Sequence, residues 1–226
     1  MKTIGIIGAM PSELADIRNA LGDAVIEKAA GYEFYINEMN GKRIVNVCCG
    51  IGKVNAALCA QNLIHKFQAD CILNAGIAGG MNPEVHVCDI VVAGEVMYHD
   101  LLRRFLENYP PYHGCYECDP GLVEKAMAAC AACGTKSFVG RIVSGEAFIS
   151  DAELKARIQE EFTPHAVDME SAGIGHCAYR NSVPFVSIRC ISDNADDEGE
   201  MSFEQFEKIA ARKVADVVFE MIRSMD

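Results

Sequence analysis

Short apolar runs alternate with segments of helical periodicity along the whole chain, and this alternation specifies an α/β fold with a largely buried sheet. The runs predict strands near Thr3 to Ile7, Lys42 to Cys48, Cys71 to Ala75, Asp89 to Gly94, Phe138 to Val143, Ala166 to Asp168 and Phe185 to Ile191. Residues 31 to 38 alternate in polarity and predict a further strand, paired in a hairpin with 42 to 48 across Asn40-Gly41. Helices fit Pro11 to Leu21, Val54 to Phe67, Pro120 to Ala132, Ala152 to Glu161, Glu170 to Arg180 and Phe203 to Ser224, the last opening on a Ser202/Gln205 capping-box pattern. Arg103 to Cys118, with its Tyr109-Pro-Pro-Tyr112 cluster, reads as a long surface loop. No Pro/Ser-rich linker or internal repeat divides the chain, so residues 1 to 226 read as a single domain.

Composition removes several function classes. A chain of 226 residues, 50% of them apolar, can bury roughly 70% of its unfolded surface. Its 32 acidic residues against 20 basic ones give a net charge of −12, which repels phosphate polyanions and argues against nucleic acid as a partner. The apolar stretch near Met1 is too short for a signal peptide, and no later window suits a membrane span. A soluble cytoplasmic protein with no membrane partner is expected, in which the eleven cysteines stay reduced. Cys48, Cys49, Cys59, Cys71, Cys88, Cys177 and Cys190 lie in or beside apolar runs and serve there as small hydrophobes. Cys115/Cys118 and Cys130/Cys133 approximate the spacing of a four-thiolate zinc site. Cys130, however, shares a helical face with Leu122, Ala126 and Met127 and is expected to face the core, so no metal is assigned.

The unusual residues follow the strands: Gly8 to Glu13, Cys49 to Gly52, Asn74 to Gly80, Ser144 to Ile149, Asp168 to Glu170, and Ser192-Asp193. Ligands of open α/β sheets bind at the carboxyl ends of strands, and one pocket could collect all six loops. Neither glycine run is a standard phosphate motif: Gly76 to Gly80 lacks the terminal Gly-Lys-Ser/Thr, and Gly50-Ile-Gly52 lacks the third glycine of a dinucleotide fingerprint. Each carboxylate has a plain structural reading. Glu13 sits in the first turn of a helix, Glu170 at a helix start, and Asp193 could cap the segment after its strand.

Ile4-Gly-Ile-Ile-Gly-Ala-Met10, Glu13, Gly50-Ile-Gly-Lys-Val54, Asn74-Ala-Gly-Ile-Ala-Gly-Gly80, Asp89-Ile-Val-Val92, Tyr98-His-Asp100, Val143-Ser-Gly-Glu-Ala-Phe-Ile149, Val167-Asp-Met-Glu170, Val183-Pro-Phe185, Arg189-Cys-Ile-Ser-Asp193 and Ser202-Phe203 together resemble 5′-methylthioadenosine/S-adenosylhomocysteine nucleosidases, within the nucleoside phosphorylase family. They run in family order over nearly the whole chain. The resemblance implies a single-domain three-layer α/β sandwich around a mixed, barrel-like sheet. It implies that Glu13 activates the attacking water, Asp193 protonates N7 of the leaving adenine and Glu170 holds the ribose 2′- and 3′-hydroxyls. Phe148 would stack on the base, Ile149 read its edge, Met169 pack on the sugar, Ser192 orient Asp193 and Arg189 help place the water. Ala9, Ile51 and Gly79 would line the pocket. The implied partner is a small nucleoside, with no cofactor, in a cytoplasmic homodimer acting in nucleoside catabolism and methionine salvage.

These residue types suit the chemistry. Cleavage of a ribosyl N-glycosidic bond passes through an oxocarbenium-like state in which one carboxyl serves the leaving group and another the water. A phosphorylase on the same fold, or a nucleoside-binding protein without turnover, are the alternatives. Phosphate as nucleophile needs a cation, and Gly8 to Glu13 contains none. Two stretches depart from the family. Ile77 stands where many of these nucleosidases have Ser, and residues 101 to 118, which in the family close the 5′-substituent pocket of a neighbouring subunit, barely match. Methylthioadenosine, S-adenosylhomocysteine, 5′-deoxyadenosine and aminodeoxyfutalosine therefore all stay open as substrates.

Overall fold

The computed structural model describes residues 2–195 and 199–225, with the backbone alone at 199–202 and 204. In chain order these residues form β1 (Thr3–Gly8), α1 (Pro11–Leu21), β2 (Val25–Ala29), β3 (Tyr32–Met39), β4 (Lys42–Cys48), α2 (Lys53–His65), β5 (Cys71–Gly80), β6 (Ile90–Tyr98), α3 (Arg103–Asn108), β7 (Tyr116–Glu117), α4 (Pro120–Ala132), β8 (Ser137–Ser144), α5 (Ala152–Phe162), β9 (Ala166–Asp168), α6 (Ser171–Asn181), β10 (Phe185–Asp193) and α7 (Gly199–Ser224).

One mixed sheet organises them, in the order β10-β6-β8-β9-β5-β1-β4-β3-β2. The end strand β10 also pairs with β5, so β5, β9, β8, β6 and β10 close into a five-stranded barrel from which β1 to β4 extend as a tail. Central strands read as unbroken apolar runs because both faces are covered: every residue of β1, β5 and β10 is buried. Helices α1 and α4 both pack on α7, and α2 packs on α6. Along α7, Ala210, Ala211, Val214, Ala215, Val218, Met221 and Ile222 recur at helical spacing and are buried, packing the helix against β10 and β5.

Local chemistry sets the boundaries. Pro11 opens α1, where its missing N–H costs nothing, and Gly22 at φ 75° ends it. The β3–β4 hairpin turns at Asn40 and Gly41, both at positive φ (51° and 72°), the backbone an Asn-Gly pair supplies. In α4, Asp119 accepts the Leu122 amide as N-cap, and Cys130 is buried in the core as its periodicity requires while Cys133 is exposed. Cys115 donates to Glu95 at 2.9 Å, and among the described residues no three His, Cys, Asp or Glu side chains gather to hold a metal ion. No described helix is long and apolar enough to cross a membrane.

The structure corrects three expectations and adds one strand. The glycine run after Ala75 is strand rather than loop, since β5 continues to Gly80. Arg103 to Cys118 contains α3 and β7, with Leu106, Tyr116 and Cys118 buried; six residues of helix and two of strand carry too little periodicity to be read. The edge strand β2 has Val25 and Ile26 exposed and lacks the alternation that marks a half-buried strand. Helix α7 begins at Gly199, so Ser202 lies inside it instead of capping it.

Candidate active site

Helix α1 delivers Glu13 into a gap in the sheet. On one edge of β5, residues 71–74 pair with β1 and 79–80 with β9, leaving the backbone between them without a strand neighbour on that side. The Ile77 amide, released in this gap, donates to Glu13 Oε1 at 2.9 Å, while Glu13 Oε2 accepts the amides of Ala9 at 2.6 Å and Met10 at 3.0 Å. Burial pushes the Glu13 carboxyl above its ordinary value, against the pull of Arg189 and the three amides.

Behind Glu13 lies Arg189 of β10, fully buried. Its Nη2 meets Asp168 Oδ2 at 2.7 Å and Glu170 Oε2 at 3.4 Å, and its Nη1 stands 3.8 Å from Glu13 Oε1. A buried guanidinium is tolerable only when paired, and here three carboxylates surround it. The amide of Asn74, oriented to satisfy both its ends, accepts from Arg189 Nη2 at 2.9 Å and donates to the Ile7 carbonyl. Asp168 also accepts the hydroxyls of Ser144 and Ser171 and the Ser171 amide. Asp168 therefore does the capping at the start of α6, where Glu170 is the N-cap residue but makes no side-chain cap bond. Glu170 instead turns its Oε1 to the Gly52 amide at 2.9 Å. Its carboxyl is pushed up to about 7 by burial, with Asp168 adding to the rise and Arg189 opposing it.

Gly76 makes this packing possible. A Cβ there would lie 2.0 Å from Arg189 Nη1 and 2.4 Å from Glu13 Oε1, so the strand can pass the charge cluster only without a side chain.

Asp193 closes the opposite wall. The register of β10 against β5 shifts between Ile191 and Asp193, a bulge of the kind that re-aims side chains beside active sites. Its Oδ2 accepts the Ser192 hydroxyl and its Oδ1 the Ala195 amide, both at 2.8 Å. The Ala195 bond is the cap expected of an Asp after a strand, and it coexists with a place on the cavity wall. A Cβ on Gly79 would come within 3.0 Å of Asp193 Oδ1.

Between the carboxylates opens a cavity of about 200 Å³. Ala9, Glu13, Ile51, Gly79, Phe148, Ile149, Met169, Glu170, Ser192 and Asp193 all line it. Ile149 is buried, whereas Phe148 keeps 42% of its surface exposed and meets Phe203 edge to face. That exposure separates Phe148 from a core phenylalanine. Arg189 alone of the residues singled out is not on the wall; it reaches the cavity through the carboxylates it holds. Sequence reasoning missed Asp168, Asn74, Ser144 and Ser171, whose polar side chains inside or beside apolar strands were the available signal, and the lining residues Met10, Ala195 and Phe203. Asp100 pairs with Lys53 Nζ and accepts the Glu146 amide, tying the Phe148 loop to the start of α2.

Residues 3–223 match the family model described as the phosphorylase superfamily. The chain belongs to the phosphorylase superfamily. Within that superfamily it is 37% identical, over 94% of its own length and 90% of the other's, to the 5′-methylthioadenosine/S-adenosylhomocysteine nucleosidase of Treponema pallidum (strain Nichols). The solved nucleosidase of that name from Colwellia psychrerythraea 34H, in complex with adenine, superposes with a TM-score of 0.92 at 36% identity, covering 98% of this chain and 94% of that one. The superfamily fold also brings in futalosine hydrolase of Helicobacter pylori strain 26695, with a TM-score of 0.93, 28% identity and coverage of 99% and 98%.

Proposed function

We propose that the chain, acting as one nucleosidase domain over residues 1 to 226, hydrolyses the N-glycosidic bond of 5′-substituted adenosines, methylthioadenosine and S-adenosylhomocysteine among them, to adenine and the 5′-substituted ribose. The observation that carries this is the set of three buried carboxylates, Glu13, Glu170 and Asp193, on the wall of one cavity beside an exposed phenylalanine. Adenine stacks on Phe148 with its edge at Ile149 and N7 at Asp193. Glu170 accepts the ribose hydroxyls, and Met169 packs on the sugar. Glu13 takes the proton of the attacking water, a role suited to a carboxyl raised above the ordinary range. Asp193, positioned by Ser192, gives its proton to N7 so that adenine leaves neutral. Arg189 acts from behind by fixing Glu170 and Glu13 and by presenting Nη1 on the water's side.

Phosphorolysis is disfavoured because none of the described residues lining the cavity is Lys or Arg, and Glu13 faces the nucleophile's side. The protein is proposed to work in the cytoplasm, in nucleoside catabolism and methionine salvage, as a homodimer. Support for the dimer comes from Leu101, Leu102 and Phe105, which expose 39%, 57% and 46% of their surface, whereas Leu106 turns inward and does not contribute.

The test is to incubate the protein with methylthioadenosine, S-adenosylhomocysteine, 5′-deoxyadenosine and aminodeoxyfutalosine, with and without phosphate, and to follow purine base release. Adenine release from one or more of the four at a phosphate-independent rate is the expected result. A pentose 1-phosphate product would establish the phosphorylase instead.

A further inference from the structure

We infer that Glu146 is a positioning residue for base recognition, which holds the loop of Phe148 and Ile149 in place by capping the N-terminus of α2. The inference rests on the hydrolase reading above and deepens its account of the base site.

Helix α2 has no cap of its own. Its N-cap residue, Gly52, has no side chain to cap with, and its first turn, Lys53-Val-Asn-Ala56, carries no acid. Two adjacent amides at this end are taken instead by carboxylates from far along the chain. Gly52 N–H donates to Glu170 Oε1 and Lys53 N–H donates to Glu146 Oε1, both at 2.9 Å. The first carboxylate is the proposed ribose ligand, and the second opens the loop that carries the proposed base contacts. Both lie in the favourable field of a thirteen-residue helix.

The local backbone is shaped for this arrangement. Gly52 has a φ of 100°, and a Cβ on it would lie 2.8 Å from Glu146 Oε2, so glycine lets the carboxylate sit against the helix end. Gly173 brings α6, which begins beside Glu170, onto the same point: a Cβ there would lie 2.7 Å from the Lys53 carbonyl oxygen. Asp100 completes the tie, since its Oδ2 accepts the Glu146 N–H at 2.9 Å and meets Lys53 Nζ at 2.6 Å. Glu146 is therefore held by its amide and by its carboxylate, and both holds lead to Lys53.

Packing alone leaves the loop free to shift. Ala147 and Ile149 line the substrate cavity and also a second cavity of about 450 Å³, whose wall includes His99, Asp100, Glu146 and Phe162. Residues 146–149 thus form a thin partition between two spaces. Glu146, Ala147 and Phe148 are exposed, and of the four only Ile149 is buried, in a cluster with Met97, Val143 and Val167. A stacking ring on such a partition stays at the base because polar bonds hold the chain that carries it. When those bonds are cut, stacking weakens in the ground state and the transition state alike, so KM rises and kcat does not fall.

The experiment uses the full chain carrying Glu146→Ala, Glu146→Gln or, as a second way of releasing the loop, Asp100→Ala. Amide exchange over residues 145–149 is read by mass spectrometry without ligand, the adenine dissociation constant by calorimetry, and kcat and KM with methylthioadenosine. Glu146→Ala and Asp100→Ala are expected to quicken exchange roughly tenfold, as the loss of one hydrogen bond to a charged group implies. Both should raise the adenine dissociation constant and KM by at least roughly fivefold, the lower end of what a base–aromatic stack supplies, with kcat within about threefold of wild type. Glu146→Gln keeps an acceptor for the Lys53 amide and is expected to stay within about threefold of wild type in every readout. Unchanged adenine affinity in both release variants overturns the inference, whether or not exchange quickens, and so does a fall in kcat with KM unmoved. Glu146→Gln as impaired as Glu146→Ala overturns the cap as the cause. Wild type that binds no adenine would instead sink the hydrolase reading, and exchange in Glu146→Ala against Glu146→Gln would still decide whether Glu146 holds the loop.

Discussion

The Ile77 amide holds Glu13 Oε1 at 2.9 Å, so this carboxylate is fixed by main chain at a position where a hydroxyl side chain is absent. Ile77→Ser should therefore change kcat/KM by less than about tenfold, since the bond that matters does not depend on the residue type, while a variant that loses the carboxylate itself loses the 10²–10⁴-fold of a general base. Steady-state kinetics of Ile77→Ser beside Glu13→Gln measure the contrast. A large loss for the serine variant would mean that the apolar wall, rather than the carboxylate geometry, limits the reaction.

Asp193 is assigned to the leaving group alone, and its contribution should depend on what leaves. Asp193→Asn keeps size and hydrogen bonding but has no acidic proton, so hydrolysis of adenine nucleosides should fall by roughly 10²–10⁴-fold. A substrate whose leaving group departs unprotonated should lose far less. Equal losses for the two substrates would make Asp193 a positioning residue.

Glu170 should weaken the fold at neutral and alkaline pH. Its carboxyl rises to about 7 in the folded chain from an ordinary value of 4.5, so the folded state binds more protons than the unfolded one between those limits. The stability this represents is complete below the ordinary carboxylate range and is lost as pH rises through about 7; Glu13 shifts in the same direction. Glu170→Gln should thus have a higher thermal midpoint than wild type at about pH 8, and the gap should narrow toward about pH 5. A gap that is the same at both pH values would show that the charge is compensated by Arg189 throughout.

The exposed apolar residues around α3 should be covered by a second copy of the chain. Sedimentation at micromolar concentration is expected to give twice the 24.6 kDa chain mass, and Phe105→Ala should alter discrimination among 5′ substituents more than it alters adenine affinity. A monomer with unchanged 5′ preference would remove the α3 segment from the site.

Much of the fold and of the site is legible in the amino-acid sequence. Helix α1 begins and ends where Pro11 and the Leu21-Gly22 step place it, and the β3–β4 hairpin turns on Asn40-Gly41, because both signals are local backbone chemistry. The site carboxylates emerge from ordered motifs that bring Glu13, Glu170 and Asp193 into one pocket. What stays hidden is tertiary. The glycines of β5 look like a turn in sequence, yet Gly76 and Gly79 are strand residues whose missing side chains make room for Arg189, Glu13 and Asp193. Asp168 cannot be recognised from sequence as the main partner of Arg189, since that pairing exists only once β9 and β10 are brought together around the barrel.

The gap between β1 and β9 along β5 places a main-chain proton where the hydrogen-bond ladder is interrupted, and a titrating side chain covers it. Amides within the ladder exchange with deuterium only when strands separate, whereas that of Ile77 is shielded by a single carboxylate. Its exchange rate is consequently a spectroscopic gauge of Glu13, slowing when the carboxylate is ionised and seated and quickening when protonation or a bound ligand draws it away.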